Sequence, residues 1–413
     1  MSVTNDFFDK LLRNEIGQEK IKAAKKSFID YYADLALAYQ NKNVKEFIKK
    51  LGTPRLPANQ GEIAGLSNGF TGHYLDLDDV QANFRGHPSV TIYSALLAVT
   101  EDETFDQLYQ AFIKAVDFAG KLGQILNPRL SQNGFHPTQA IGSLAASYGI
   151  GIYKGLDQHE LINTVSLASS QASGFTYQFG TNAKPIQAGL AARNAVLAYK
   201  LNTLNITANS DFLPNFYKSF TGEVFNLEKI DWDKSEIIEP GIWYKLYAFC
   251  SANMATYDLA LKASKTITWQ NITKIELHFT HHGDAPLKYK HPQTGGEGKF
   301  SPEYIVWLML NKGAVSDNDF TEDIPKDFQA ASVFFVRFND LMTSDPSARP
   351  TRLVIKTKDG QTFNQLVEHP KGSPQNPLSL QDITNKLNRT PNKLKINTLT
   401  GDKPVSSILG GIS

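Results

Sequence analysis

Residues 134–200 read GFHPTQAIGSLAASYGIGIYKGLDQHELINTVSLASSQASGFTYQFGTNAKPIQAGLAARNAVLAYK. The stretch opens on His136, flanked by Gly134, Phe135 and Pro137. The run that follows is rich in Ala, Gly and Ser, which predicts a helix that another backbone can approach closely. Asp157 and Glu160 have the spacing of a capping box. They predict a second helix running to about Gln171 and ended by Gly174. A loop then carries Gly180-Thr181-Asn182-Ala183-Lys184-Pro185. Pro185 suits the first position of a third helix, where its missing N–H would have no partner anyway. Three helices in succession therefore set the character of this part of the chain. A histidine precedes the first and a lysine precedes the third, each near a helix N-terminus whose partial positive charge favours anions. That arrangement suits an acidic substrate.

The chain upstream has the same character. Over residues 18–39, Ile21, Ala24, Phe28, Tyr32 and Leu35 recur at helical spacing, with Lys22, Lys25 and Lys26 on a face expected to be solvated. Helices are expected over residues 44–51, from Ser89 with Val90, Tyr93, Leu96 and Leu97 on one face, and over residues 105–119. Thr53-Pro54-Arg55 and Pro57-Ala58-Asn59 read as loop. No convincing strand precedes about Lys245.

Beyond it the pattern changes. Residues 274–279 alternate, with Ile275, Leu277 and Phe279 on one face, as in a half-buried strand. Residues 333–338 can form a second strand. Residues 352–358 and 361–367 flank Asp359-Gly360, a two-residue hairpin signal. Ser301-Pro302 starts a helix carrying Tyr304 and Trp307, which Gly313 stops. Residues 371–374 read as an exit, and 378–387 return to a helical pattern. The expected fold is mainly α with a second α+β domain. A large helical domain spans residues 1–245 and is completed by 376–413; a smaller α/β lid spans 246–375.

A length of 413 residues exceeds what one core usually serves. A formal net charge of +1 gives no electrostatic case for nucleic acid or a membrane surface. The single cysteine, Cys250, excludes an internal disulfide framework and an all-cysteine metal site, and fits a reducing compartment. The first residues lack a basic-then-apolar leader pattern, so a cytoplasmic protein is expected.

Four groups of residues can carry chemistry. Residues 68–90, NGFTGHYLDLDDVQANFRGHPSV, concentrate His73, Asp76, Asp78, Asp79 and His87 between apolar helices, with loop expected over 80–88. His136 and Lys184 form the second group. Trp243-Tyr244-Lys245-Leu246-Tyr247 and Cys250 form the third, with Lys245 at the domain junction. The fourth is Pro292 and Thr294, then Glu297-Gly298-Lys299-Phe300-Ser301-Pro302-Glu303-Tyr304. Gly65-Leu66-Ser67-Asn68-Gly69 fits G-x-S-x-G, but the residues before it make a poor strand, so a serine hydrolase at Ser67 is only an alternative. Gly149 and Gly151 complete no dinucleotide fingerprint. His278, His281, His282 and His291 are not read as metal ligands, because neighbouring histidines on a strand point to opposite faces. No metal and no cofactor are expected.

These motifs resemble the MmgE/PrpD family, which includes 2-methylcitrate dehydratase, cis-aconitate decarboxylase and iminodisuccinate epimerase. The resemblance rests on GFHPT, SQASG and GTNAKPIQAGLAARNAVLA, on NG-x-x-x-H-x-x-D-x-D-D followed by HPS, and on E-G-K-F-S. It implies a helical domain completed by the C-terminus, an α/β lid, an active site between them and a homodimer. It also implies that Asp76, His87 and His136 are active-site residues with His73 beside them, that Lys184 binds a substrate carboxylate, and that Tyr304 faces the site from the lid. Lys245 and Cys250 match family positions, whereas Val80, Ala248 and Met254 depart from the pattern. His87, His136, Lys184 and Lys245, four basic groups with few acids to cancel them, would suit a di- or tricarboxylate in one cleft with Asp76 and Tyr304. Lys184, Lys245 and His73 would bind it, His87 and His136 would move protons, and Asp76 would orient His87 or raise its pKa. The implied activity is a cofactor-independent lyase, with dehydration of a 2-methylcitrate-like acid ahead of decarboxylation or epimerisation. A carboxylate-binding protein without catalysis is the other alternative.

Overall fold

A computed structural model describes residues 2–51, 61–331, 334–343, 345, 348–390 and 396–409. The loop read at residues 53–59 lies outside these residues, as does the start of the strand read at 333. The helical part comprises α1 (Val3–Arg13), α2 (Gln18–Ala38), α3 (Lys42–Leu51), α4 (Gly61–His73), α5 (Pro88–Ala98), α6 (Phe105–Leu126), the single turn α7 (Arg129–Gln132), α8 (Pro137–Tyr153), α9 (Gln158–Ser169), α10 (Ala183–Thr203) and α11 (Leu213–Thr221). The three helices of residues 134–200 are α8, α9 and α10. The capping box at α9 forms as read: Asp157 Oδ1 accepts from the Glu160 N–H at 2.9 Å, and Glu160 Oε2 accepts from the Asp157 N–H at 3.1 Å. Helix α10 begins at Ala183, so Pro185 is its third residue rather than its first. The missing N–H still falls among those that have no partner in a first turn.

The pairing that positions the site is α4 against α10. The two run antiparallel, with Gly65 opposite Ala192 and Gly69 opposite Gly189. A methyl group on Gly69 would stand 2.6 Å from the Cα of Gly189, closer than van der Waals contact allows. The backbones therefore touch, and the C-terminal end of α4 meets the N-terminal turn of α10. Likewise α5 lies against α8, where a Cβ on Gly142 would meet the Thr91 methyl at 3.1 Å.

Two readings of the helical part need correction. Val80–Gln81 (β1) pairs antiparallel with Ile242–Trp243 (β2), Val80 facing Trp243. Two residues are too few to show an alternation, so nothing in the pattern reveals them. Lys26 is also not on a solvated face: its ammonium donates to the Leu378 carbonyl at 2.7 Å and stands over the Tyr244 ring.

The chain then forms α12 (Met254–Ala263), β3 (Ile272–Thr280), α13 (Gly295–Gly298), α14 (Pro302–Trp307), α15 (Lys326–Ala331), β4 (Phe335–Leu341), β5 (Thr351–Thr357) and β6 (Thr362–Val367). The sheet order is β4-β3-β5-β6, with β3–β4 parallel and the other pairs antiparallel. Gly360 takes φ 85° in the β5–β6 turn, as the hairpin signal requires. Ile275, Leu277 and Phe279 of β3 are buried as expected, and Ile272, where the strand begins, is buried with them. Arg337 of β4 ties the sheet to α14 through Glu303, Nη2 to Oε2 at 2.6 Å.

The C-terminal segment returns to the helical part as α16 (Leu380–Leu387) and α17 (Ser406–Leu409). Leu378, Ile383, Leu387, Leu399 and Val405 enter the same apolar core as Phe28, Tyr93 and Phe112. Lys386 of α16 is fully buried against α2, 2.8 Å from Asp30 and 2.5 Å from Asp34, and also donates to the Leu77 carbonyl at 3.1 Å. The last contact ties the C-terminal helix to the loop that carries Asp76 and Asp78.

Candidate active site

Helix α4 ends at His73, and the chain turns through Asp76 with φ 55°, a left-handed conformation unusual for a residue with a side chain. Such a residue stores roughly 1–3 kcal/mol of strain and is typical of sites where surrounding contacts dictate the backbone. Here three contacts do so. Asp76 Oδ2 accepts from Lys184 Nζ at 2.8 Å, its Oδ1 accepts from Lys245 Nζ at 2.8 Å, and its own carbonyl accepts a second bond from Lys245.

His87 and His136 are built alike. Each is the N-cap residue of a helix, α5 and α8 respectively, in extended backbone and followed by proline; neither side chain caps its helix. At α5 the capping work passes to Asp79, whose Oδ1 accepts from the Ser89 N–H at 3.1 Å and whose Oδ2 accepts from the Ser89 hydroxyl at 2.6 Å. Burial pushes the Asp79 carboxyl up to about 8. With its helix capped from elsewhere, the His87 imidazole is released toward His73, ring centroids 4.3 Å apart.

The structure brings His73, Asp76, His87, His136, Lys184 and Lys245 together, each at most 8% exposed. His73 lies at the centre. Its Nδ1 donates to the Asp78 carboxylate at 2.9 Å, which leaves Nε2 to accept from Lys184 Nζ at 2.7 Å. Burial, with Lys184 adding to it and Asp78 opposing, pushes His73 down to about 3. His87 is lowered by burial as well; its Nδ1 stands 3.1 Å from Asp78 Oδ2 without the alignment of a hydrogen bond, and its Nε2 is 3.9 Å from Asp76 Oδ1. His136 sits well below the ordinary imidazole range because burial and the Lys184 charge disfavour its cation. Burial alone would raise Asp76, but Lys184 and Lys245 outweigh it and hold the carboxyl well below its usual range. Burial would lower Lys245, yet Asp76 and Asp78 carry it above the ordinary lysine value.

Two expectations change on this geometry. Asp78, not Asp76, is the carboxylate that serves the imidazoles; Asp76 holds lysines. The cluster is also not an excess of bases: Asp76 and Asp78 balance Lys184 and Lys245.

Tyr304 does not join the cluster. It is 1% exposed, its hydroxyl donates to the Asp319 carbonyl at 3.2 Å, and its ring packs among Trp307, Phe320 and Phe328. The helix carrying it is right, but the face it occupies is the lid's own core. Ser67 lies fully buried in the middle of helix α4 rather than at a strand-to-helix turn, so it is no nucleophile elbow and the serine hydrolase alternative falls. His281 and His282 lie in a turn beyond the end of β3, rings 3.8 Å apart, so opposite strand faces do not describe them. Cys250 is raised by burial, against any nucleophilic role.

Sequence reasoning assigned no role to four contributors. Asp78 was visible in D-x-D, but its partners were not. Gln187 lies three residues after Lys184, on the same side of α10; its Oε1 accepts from His136 Nδ1 at 2.7 Å, and its Nε2 donates to the Phe175 carbonyl at 3.2 Å. Lys299 and Phe300, between α13 and α14, pack beside the cluster. Phe300 stacks on Phe179 at 5.4 Å, and Lys184 Nζ is 5.5 Å from each ring.

His73, Asp76, Asp78 and His87 offer donor atoms within 4.8 Å of one another, a spacing a metal ion could use. The donor chemistry does not fit one, because the Lys184 and Lys245 ammoniums already occupy His73 Nε2 and both Asp76 oxygens.

Comparison with known proteins agrees with this layout. The MmgE/PrpD N-terminal domain matches residues 5–226, and the MmgE/PrpD C-terminal domain matches residues 247–394. The chain belongs to the MmgE/PrpD family. Among its relatives, cis-aconitate decarboxylase of Mus musculus is 22% identical over 369 residues, covering 82% of this chain and 73% of the relative. Cis-aconitate decarboxylase of Homo sapiens is 21% identical over 363 residues, covering 82% and 74%. In this MmgE/PrpD chain no helix among the described residues is long and apolar enough to cross a membrane.

Proposed function

We propose that the protein is a cofactor-independent lyase that dehydrates a 2-methylcitrate-like di- or tricarboxylate. The observation that carries this reading is the state of His136. Its Nδ1–H is spent on Gln187, which leaves the Nε2 lone pair as the basic position, and its lowered pKa keeps the ring neutral at pH 7. A neutral imidazole begins a reaction by taking a proton, which is how dehydration next to a carboxylate starts. The C–H electron pair moves into the carboxylate as enolate-like charge, then forms the double bond as the hydroxyl leaves with a proton. Lys184 and Lys245 stabilise the charge that develops on the carboxylate oxygens. The Lys184 ammonium gives the leaving hydroxyl a proton, so that it departs as water, and the proton taken by His136 then restores that ammonium.

A second reading, decarboxylation of a cis-aconitate-type acid, is favoured by the names of the two relatives above. The same lysines would stabilise the carbanion left by CO2. Incubating purified protein with 2-methylcitrate, citrate and cis-aconitate separates the two: new alkene absorbance from a hydroxy acid supports dehydration, and CO2 release supports decarboxylation. Neither product from any of the three acids would contradict both. A cytosolic homodimer belongs to the same proposal, and light scattering of the purified protein tests the assembly.

A further inference from the structure

Three ammoniums stand at this buried cluster, and two of them are already paired. Lys184 and Lys245 each hold an oxygen of Asp76 at 2.8 Å. The third belongs to Lys299. Its Nζ donates to the Tyr74 carbonyl at 2.7 Å and stands 5.6 Å from the Tyr74 ring centroid. Among the described residues no carboxylate lies within 4.0 Å of it. The residue is only 8% exposed. An ammonium has three N–H donors, and burying a cation without a counter-ion is costly. Lys299 thus keeps unspent charge and donors in a place where water cannot readily satisfy them.

Its backbone is well held. The carbonyl of Lys299 accepts from the Cys250 N–H at 3.0 Å and from Asn253 Nδ2 at 3.1 Å, and its N–H donates to the Gly295 carbonyl at 3.2 Å. The next residue, Phe300, stacks on Phe179 beneath Lys184. The ammonium is therefore presented from the lid toward the lysines of the helical part.

We propose that Lys299 is a carboxylate-binding residue of this cleft, the lid's own grip on a substrate carrying at least two carboxylates. The proposal rests on the carboxylate-lyase reading above. For Lys184 or Lys245 to take a substrate carboxylate, Asp76 must give up a bond. Lys299 has no such bond to break, so one carboxylate docks there while another competes with Asp76 for Lys184 and Lys245. A monocarboxylate can satisfy only one end. Burial lowers Lys299 to about 8; Asp76 and Asp317 favour its charge while Lys184 and Lys245 oppose it, and a bound carboxylate removes the penalty.

The test is isothermal titration of the full-length protein with tricarballylate, which has no hydroxyl to lose, and with propionate as the single-carboxylate control. Lys299→Gln and Lys299→Met are compared with wild type, with thermal unfolding alongside. Wild type should bind tricarballylate well above propionate. Both variants should weaken tricarballylate by about 10- to 100-fold, the worth of one charge-assisted hydrogen bond, without a lower Tm, because a buried unpaired charge has been removed. Unchanged affinity in a folded variant would overturn the role of Lys299 and leave the lyase reading intact. A variant that fails to fold would contradict it too, by making Lys299 a structural residue. If folded wild type binds neither tricarballylate, citrate nor cis-aconitate, the lyase reading falls and this proposal with it.

Discussion

His136 donates its Nδ1–H to Gln187 Oε1 at 2.7 Å, and Gln187 is itself oriented by the bond from its Nε2 to the Phe175 carbonyl. An amide aimed in this way accepts at one end only, so it selects the imidazole tautomer with a basic Nε2. Gln187→Met keeps the volume and removes the acceptor. The expected result is a kcat lower by about 10- to 100-fold with KM changed little, within the usual size of general acid–base effects. Steady-state kinetics check it, and an equal loss confined to KM would point to substrate binding instead.

The same site fixes a sign for pH. His136 is held well below the ordinary imidazole value of about 6.5 by burial and by Lys184. The base is therefore unprotonated, and active, through and below that pH. The acidic limb of kcat/KM should fall below pH 6.5 rather than at it. On the alkaline side Lys299, lowered to about 8, loses its charge as pH rises, so KM should climb above that pH. The charges acting on it are Asp76, Asp317, Lys184 and Lys245, and the alkaline limb should vanish in Lys299→Gln. A pH–rate profile of wild type and variant reads both limbs.

The contact between α4 and α10 leaves no room for a methyl group. Gly69→Ala should cost about 1–3 kcal/mol by overpacking, since a Cβ there meets the Cα of Gly189 at 2.6 Å. Urea unfolding measures the loss. Activity should fall further than stability explains, because the shift moves Lys184 relative to His73.

Lys386 joins the C-terminal helix to Asp30, Asp34 and the Leu77 carbonyl. Lys386→Met leaves two buried aspartates without their cation, and breaking such a group costs about 3–5 kcal/mol. Chemical denaturation should show that loss. A second change, Asp34→Asn, should recover part of it.

Much of this was legible in the residues. The capping box at Asp157 and Glu160, the Asp359-Gly360 hairpin and the return of residues 378–387 to the helical core are local signals with local causes. Small residues in α8 announced a close backbone, met by α5 at Gly142, whereas the closer contact of α4 with α10 was not read. His136 and Lys184 stood out by their places near helix starts, but their roles, and the naming of Asp76, His87, Lys245 and Tyr304, came from the resemblance of the motifs to the family. What escaped depends on pairings across long separations. Nothing in D-L-D-D says that Asp78 rather than Asp76 serves the imidazoles, for that follows from a backbone turned into φ 55° at Asp76. Tyr304 has the spacing of a helix face, and periodicity cannot tell a lid's core from its mouth. Two-residue strands such as β1 and β2 carry no period at all.

The central claim is that a neutral imidazole takes a proton from carbon next to a carboxylate. Proton NMR of the protein with 2-methylcitrate, citrate and cis-aconitate in D2O, beside His136→Ala and Lys184→Ala, addresses it most directly. The account predicts product formation or deuterium exchange with one of these acids in wild type and loss of both signals in each variant. Exchange or turnover that persists unchanged in His136→Ala would contradict it.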